Sequence, residues 1–170
     1  MLSQENTQPV SYSPARKVVH WAVLLICLTQ LPTGWAIANS HLGHISLTQS
    51  TWSVFVHRSH AIAGATVVLL LAAGVLLRLL QGPVLGSEQS AHAWLRYATR
   101  TAHVLICSVL LALSVTGFIA MYLSRAAAPW HDALVYAGSG LIGLHAAAAI
   151  WHQFVLRDGA ITRIWPRRWN

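Results

Sequence analysis

Acidic side chains are almost missing from this chain, with four Asp and Glu among 170 residues. Charge of either sign is scarce, at 9% of residues, where a soluble domain carries about 25%. That scarcity excludes an ordinary soluble domain. Cysteine is limited to Cys27 and Cys107, both inside apolar stretches. Such residues read as small apolar fillers, not as a disulfide or a metal site. The apolar runs do not alternate with polar residues and are too long for strands, which excludes a membrane β-barrel. Low-complexity segments and convincing internal repeats are also missing.

What the chain has is hydrophobicity, at 55% of residues. Four stretches are long enough to span a bilayer: Val18–Ala38, Ser53–Leu80, Ala98–Leu123 and Leu134–Leu156. Charges are nearly absent within them, as the cost of a charge in lipid requires. The expected fold class is therefore all-α, an integral-membrane four-helix bundle. The first stretch is too long for a cleavable signal peptide, and three more spans follow it. Residues 1–13 are polar, contain Pro9 and are expected to be disordered. Residues 14–170 are expected to form one transmembrane domain.

A net charge of +7 would suggest a nucleic-acid partner in a soluble protein, but its distribution excludes one here. Arg16 and Lys17 precede span one. Arg78, Arg96 and Arg100 flank the loop between spans two and three. Arg157, Arg163, Arg167 and Arg168 follow span four, and only Arg58 and Arg125 lie on the other side. The positive-inside rule puts the richer face, and with it both termini, in the cytoplasm. That face meets anionic lipid headgroups.

Helix one should begin near Pro14, a good first-turn residue, and Pro32 with Gly34 should kink its outer part. Gly82, Pro83 and Gly86 mark the inner loop as a turn. The outer connection, Arg125–Trp130, is short. Trp21, Trp35, Trp52, Trp130, Trp151 and Trp165 fall near the expected interfaces, as an aromatic belt would place them.

Ten histidines remain to be explained. His131 and His145 are 14 residues apart on one span, which is about 21 Å of helix with a return to within about 40° of the starting direction. Two imidazoles on one side of a helix, near opposite faces of the hydrocarbon core, could each supply an axial ligand to a haem. Depth then pairs His60 with His131 outside and His20 with His145 inside. Each pair would make a six-coordinate b-type haem with no open position. Interfacial hydrogen bonding is the plainer reading of any single membrane histidine, but four matching in depth on three helices argue against it. His103, at the inner depth, could replace His20, bond a propionate or line a quinone pocket. His152 is a propionate or quinone neighbour, or interfacial. His57, three residues before His60, is the rival outer ligand. His41, His44 and His92 lie in or near loops without a cysteine or carboxylate beside them, so they do not form a soluble-type metal site. Arg58, Arg78, Arg96 and Arg100 could pair with haem propionates, and Arg58 and Arg125 could attract a small anion. Gly64, one turn beyond His60, and the small residues Gly143 and Ala146–Ala149 suit either a close porphyrin or close helix packing.

Several of these pieces together carry a family likeness: "VVHWAVLL", His60-x-x-x-Gly64 with "LLRLL" at Arg78, and His103 followed by Gly117. The most specific are "WHDALVYAGSGLIGLHAAAAIWHQFVLRDG" and the tail "TRIWPRR". From about Ser13 on, the chain resembles the bacterial di-haem cytochrome b561 family, the small four-helix inner-membrane type. The resemblance implies two haem b groups ligated by His20, His60, His131 and His145. It implies electron exchange with ubiquinone and, by the activity of one bacterial member, oxidation of periplasmic superoxide. The alternative it implies is a haem subunit relaying electrons between quinone and a partner dehydrogenase or hydrogenase-type complex, since those membrane anchors share the architecture.

Overall fold

The computed structural model describes residues 12–42, 51–82, 93–157 and 159–165. All regular structure among them is helical, in the order α1 (Pro14–Leu42), α2 (Thr51–Gln81), α3 (Ala93–Tyr122), α4 (Ala128–Trp151) and a short α5 (Ala160–Ile164). Most of the expected tail, residues 1–11, lies outside the described residues, as do Gly86, Pro83, His44, His92, Arg167 and Arg168.

Four segments are long and apolar enough to cross a membrane: Pro14–Asn39, Val54–Gln81, Tyr97–Tyr122 and Arg125–Leu156. The chain is a four-helix membrane bundle. The helices start two to six residues before the apolar stretches read from sequence, because backbone hydrogen bonding continues past the hydrocarbon boundary. At their ends α1 and α2 run on past the stretch, whereas α3 stops at Tyr122 and α4 at Trp151, before the π turn. α1 starts at Pro14 and runs through Pro32 as unbroken helix. The outer connection is a 3-10 turn over Arg125–Ala127, capped by the Ser124 hydroxyl, and Pro129 lies in the first turn of α4. At the other end α4 continues as a π turn over His152–Leu156, which stops at Arg157 in the left-handed region (φ 53°).

α1 packs on α2, α2 on α3, and α3 on α4. The pairing of α1 and α2 is antiparallel, since Ser13 Oγ donates to Gln81 Oε1 at 2.7 Å, joining the start of one to the end of the other. Arg16 finishes the same corner. Its Nη2 donates to the carbonyls of Leu77 (3.1 Å) and Gly82 (2.7 Å), satisfying acceptors that a helix end leaves bare. Close contacts set the other seams. Ser114 Oγ on α3 donates to Gly64 O on α2 at 3.1 Å. A Cβ at Gly138 of α4 would meet Val109 at 3.2 Å and Leu113 at 3.3 Å on α3. A Cβ at Gly64 would meet the Gln30 amide of α1 at 3.3 Å, so Gly64 serves helix packing here.

The C-terminal segment folds back on the start of α1. Trp21 Nε1 donates to Ile164 O at 3.0 Å, Lys17 Nζ to Trp165 O at 3.3 Å, and the Trp21 and Trp165 rings meet edge to face at 5.7 Å. Large apolar side chains line the outside, Leu79 at 76% and Tyr136 at 81% exposure among them, as a lipid-facing surface requires. Within the bundle only Val56, Val67, Leu110 and Gly138 are buried among the described residues.

Candidate functional site

Two imidazole pairs face each other across the bundle. His60 of α2 and His131 of α4 have ring centres 6.3 Å apart with planes at 78°. His20 of α1 and His145 of α4 have ring centres 6.5 Å apart with planes at 58°. All four rings are half-buried. A metal held between two imidazoles lies about 2 Å from each nitrogen, which puts the ring centres about 6 Å apart. Both pairs therefore have the separation that one shared iron needs. They lie at opposite ends of α4, because α4 carries one member of each pair 14 residues apart.

The outer rings are oriented by hydrogen bonds from Nδ1. His131 Nδ1 lies 3.0 Å from Leu113 O and 3.3 Å from Thr116 Oγ1. A carbonyl only accepts, so Nδ1 carries the proton and Nε2 has the free lone pair. His60 Nδ1 lies 2.9 Å from Thr33 Oγ1. Thr33 donates its own hydroxyl proton to Thr29 O at 2.8 Å, so its oxygen accepts from His60. Both outer rings thus keep Nε2 for a ligand, the arrangement that metal-bound histidines adopt.

The inner end gathers three rings. His103 of α3 is exposed and sits 4.9 Å from His145, too close for the two to share an iron. Its Nδ1 donates to Thr99 O at 2.7 Å, which leaves Nε2 as an acceptor. Trp21 packs its edge on His20 at 6.0 Å. His152 is half-buried at the first position of the π turn, and His57 is half-buried one turn before His60. Arg58 and Arg78 are exposed on α2. The described residues contain no group of three or more His, Cys, Asp or Glu able to hold a metal ion.

Over residues 11–167 the chain matches the family described as prokaryotic cytochrome b561. The chain belongs to the prokaryotic cytochrome b561 family. It is accordingly a multi-pass bacterial membrane protein that carries haem b and transfers electrons, with chemistry of the oxidoreductase type.

Four residues of this cytochrome's outer site escaped the reading of its sequence: Thr33, Gly34, Thr116 and Gly117 as neighbours of imidazole. A Cβ at Gly34 would meet His60 Cε1 at 3.4 Å, and one at Gly117 would meet His131 Cε1 at 3.0 Å. The available signal was a Thr-Gly-aromatic step on both α1 (Thr33-Gly34-Trp35) and α3 (Thr116-Gly117-Phe118). Gly34 reads from sequence as part of a kink, whereas here it lies against the His60 ring, where a Cβ would be at ordinary contact distance.

Proposed function

We propose that the chain holds two b-type haems, one between His60 and His131 and one between His20 and His145, and passes electrons from the outer membrane face to the ubiquinone pool. The observation that carries this is the pair of facing imidazole sets, at 6.3 and 6.5 Å, one at each end of α4. Haem iron supplies reversible one-electron chemistry when bound. The chain fills both axial positions of each site, so the sites suit electron transfer and leave no position for dioxygen. Superoxide is the leading donor, and exposed Arg58 and Arg125 on the outer face would draw such a small anion. Two sites in one chain can gather the two electrons that one quinone needs from a donor that gives one.

His103 suits the quinone end. With Nδ1 committed to Thr99 O, the Nε2 of the neutral ring can accept a hydrogen bond from a quinol hydroxyl. His152 and Arg78 are the further inner candidates for quinone or propionate contact, and Arg58 the outer one. The family resemblance supports an inner-membrane setting, and the distribution of Arg and Lys supports placing both termini in the cytoplasm.

The test is an oxidised and dithionite-reduced absorbance spectrum of the detergent-purified chain, with a haem-to-protein ratio. Two low-spin b-type haems per chain are expected, falling to one in His131→Ala and in His145→Ala. If both variants keep two haems, the ligand assignment fails. Ubiquinone reduction by superoxide with the isolated chain supports the donor assignment. Reduction only in the presence of a co-purifying dehydrogenase replaces it with a relay subunit.

A further inference from the structure

The outer imidazoles belong to different helices, yet each rests on the same kind of two-residue step on its own neighbouring helix, α1 for His60 and α3 for His131. On α1, Thr33 Oγ1 lies 2.9 Å from His60 Nδ1, and Gly34 leaves 3.4 Å between its absent Cβ and His60 Cε1. On α3, Thr116 Oγ1 lies 3.3 Å from His131 Nδ1, and Gly117 leaves 3.0 Å to His131 Cε1. Each threonine also donates back to its own helix, Thr33 to Thr29 O at 2.8 Å and Thr116 to Ala112 O at 2.7 Å. That back-bond turns each hydroxyl oxygen into an acceptor with a set direction.

We propose that Thr33–Gly34 and Thr116–Gly117 are paired seats for the outer ligands, in which the threonine holds Nδ1 and the glycine lies against the ring edge, closely enough at Gly117 that the missing Cβ is what admits the ring. This rests on the reading that His60 and His131 share an iron. The two seats are unequal. His60 leans on the Thr33 hydroxyl, whereas His131 also has the Leu113 carbonyl at 3.0 Å. An accepted Nδ1 proton makes imidazole a stronger electron donor and favours ferric iron. Removing the acceptor therefore raises the reduction potential. Glycine tolerance is unequal in the other sense, because 3.0 Å at Gly117 forces the ring to move if a methyl is added, while 3.4 Å at Gly34 is nearly ordinary contact.

The experiment uses the full chain in detergent, with spectroelectrochemical potentials and EPR of the ferric haems. A His145→Ala background isolates the outer haem. Thr33→Val should leave the haem ratio unchanged and raise the outer potential by about tenfold in the reduction equilibrium, about 60 mV for one electron. In the otherwise unaltered chain, which keeps both haems, the inner potential should not move, and Thr33→Ser should restore the original outer value. Thr116→Val should give a smaller shift. Gly117→Ala should alter the outer EPR signal or expel the outer haem, and Gly34→Ala should do so less. The seats are overturned if Thr33→Val leaves the outer potential in place or moves both haems equally. They are equally overturned if Gly117→Ala leaves the outer signal unchanged. His60→Ala separates the two levels: retention of both haems there removes the ligand reading itself, while loss of one with a silent Thr33→Val removes only the seats.

Discussion

An imidazole has two nitrogens, and committing one decides what the other can do. At the outer site both Nδ1 atoms are committed, to Thr33 and to Leu113 with Thr116, so the rings offer Nε2. At the inner site His103 is committed to Thr99 and offers an acceptor beside His145. His103→Ala should therefore keep two haems per chain and slow quinone turnover on the order of a hundredfold, the scale of a lost proton-transfer partner. Haem ratio and quinone kinetics measured on one preparation check it. If the variant loses a haem, His103 is a ligand. Ring orientation carries a spectroscopic consequence as well. With a haem bound, crossed axial rings would leave the iron's two dπ orbitals (dxz and dyz) close in energy, which widens ferric g anisotropy. The outer pair at 78° should give the more anisotropic low-spin EPR signal and the inner pair at 58° the less. The single-haem variants assign each signal.

Helices are held at their ends and along their seams by a few identifiable groups. Arg16 joins α1 to the end of α2 through two carbonyls. Hydrogen bonds to a charged donor contribute roughly 1.5–3 kcal/mol each when formed away from water, and Arg16 is only half-buried. Arg16→Ala should lower the thermal midpoint of the holoprotein by a few degrees without altering the haem spectrum. Gly138 acts along the α3–α4 seam, midway between His131 and His145 on the same face of α4. Gly138→Leu has no room against Val109 and Leu113, so it should push α4 away from α3 and lower the occupancy of both haem sites together. Loss of only one haem would show that each end of α4 seats independently. Element existence was legible because each apolar run is long enough for only one solution in lipid. Two short features were not. The π turn at His152–Leu156 closes the fourth apolar span, and hydropathy does not tell a π turn from an α turn. α5 at Ala160–Ile164 lies beyond the apolar spans, where contacts with the start of α1 rather than lipid hold the chain.

The whole molecule is ordered by charge on one axis and by histidine depth on the other. With Arg and Lys concentrated at one end, a C-terminal fluorescent-protein fusion should fluoresce, and an alkaline phosphatase inserted at the Arg125–Ala127 turn should be active. The reverse pattern would invert the bundle and exchange the outer and inner haem assignments. Span number, bundle class and the depth of each histidine follow from the sequence alone, because a 30 Å apolar slab and a 1.5 Å rise per residue convert position into depth. Depth already pairs His60 with His131 and His20 with His145, but it cannot give the distances and ring angles between them. Setting His60 at 6.3 Å from His131, and His20 at 6.5 Å from His145 but His103 at 4.9 Å, took tertiary structure. So did the seats at Thr33–Gly34 and Thr116–Gly117. These depend on the rotation of each helix about its own axis and on how closely neighbours approach. Packing of small residues and single hydrogen bonds across seams decides both, and hydropathy does not record either.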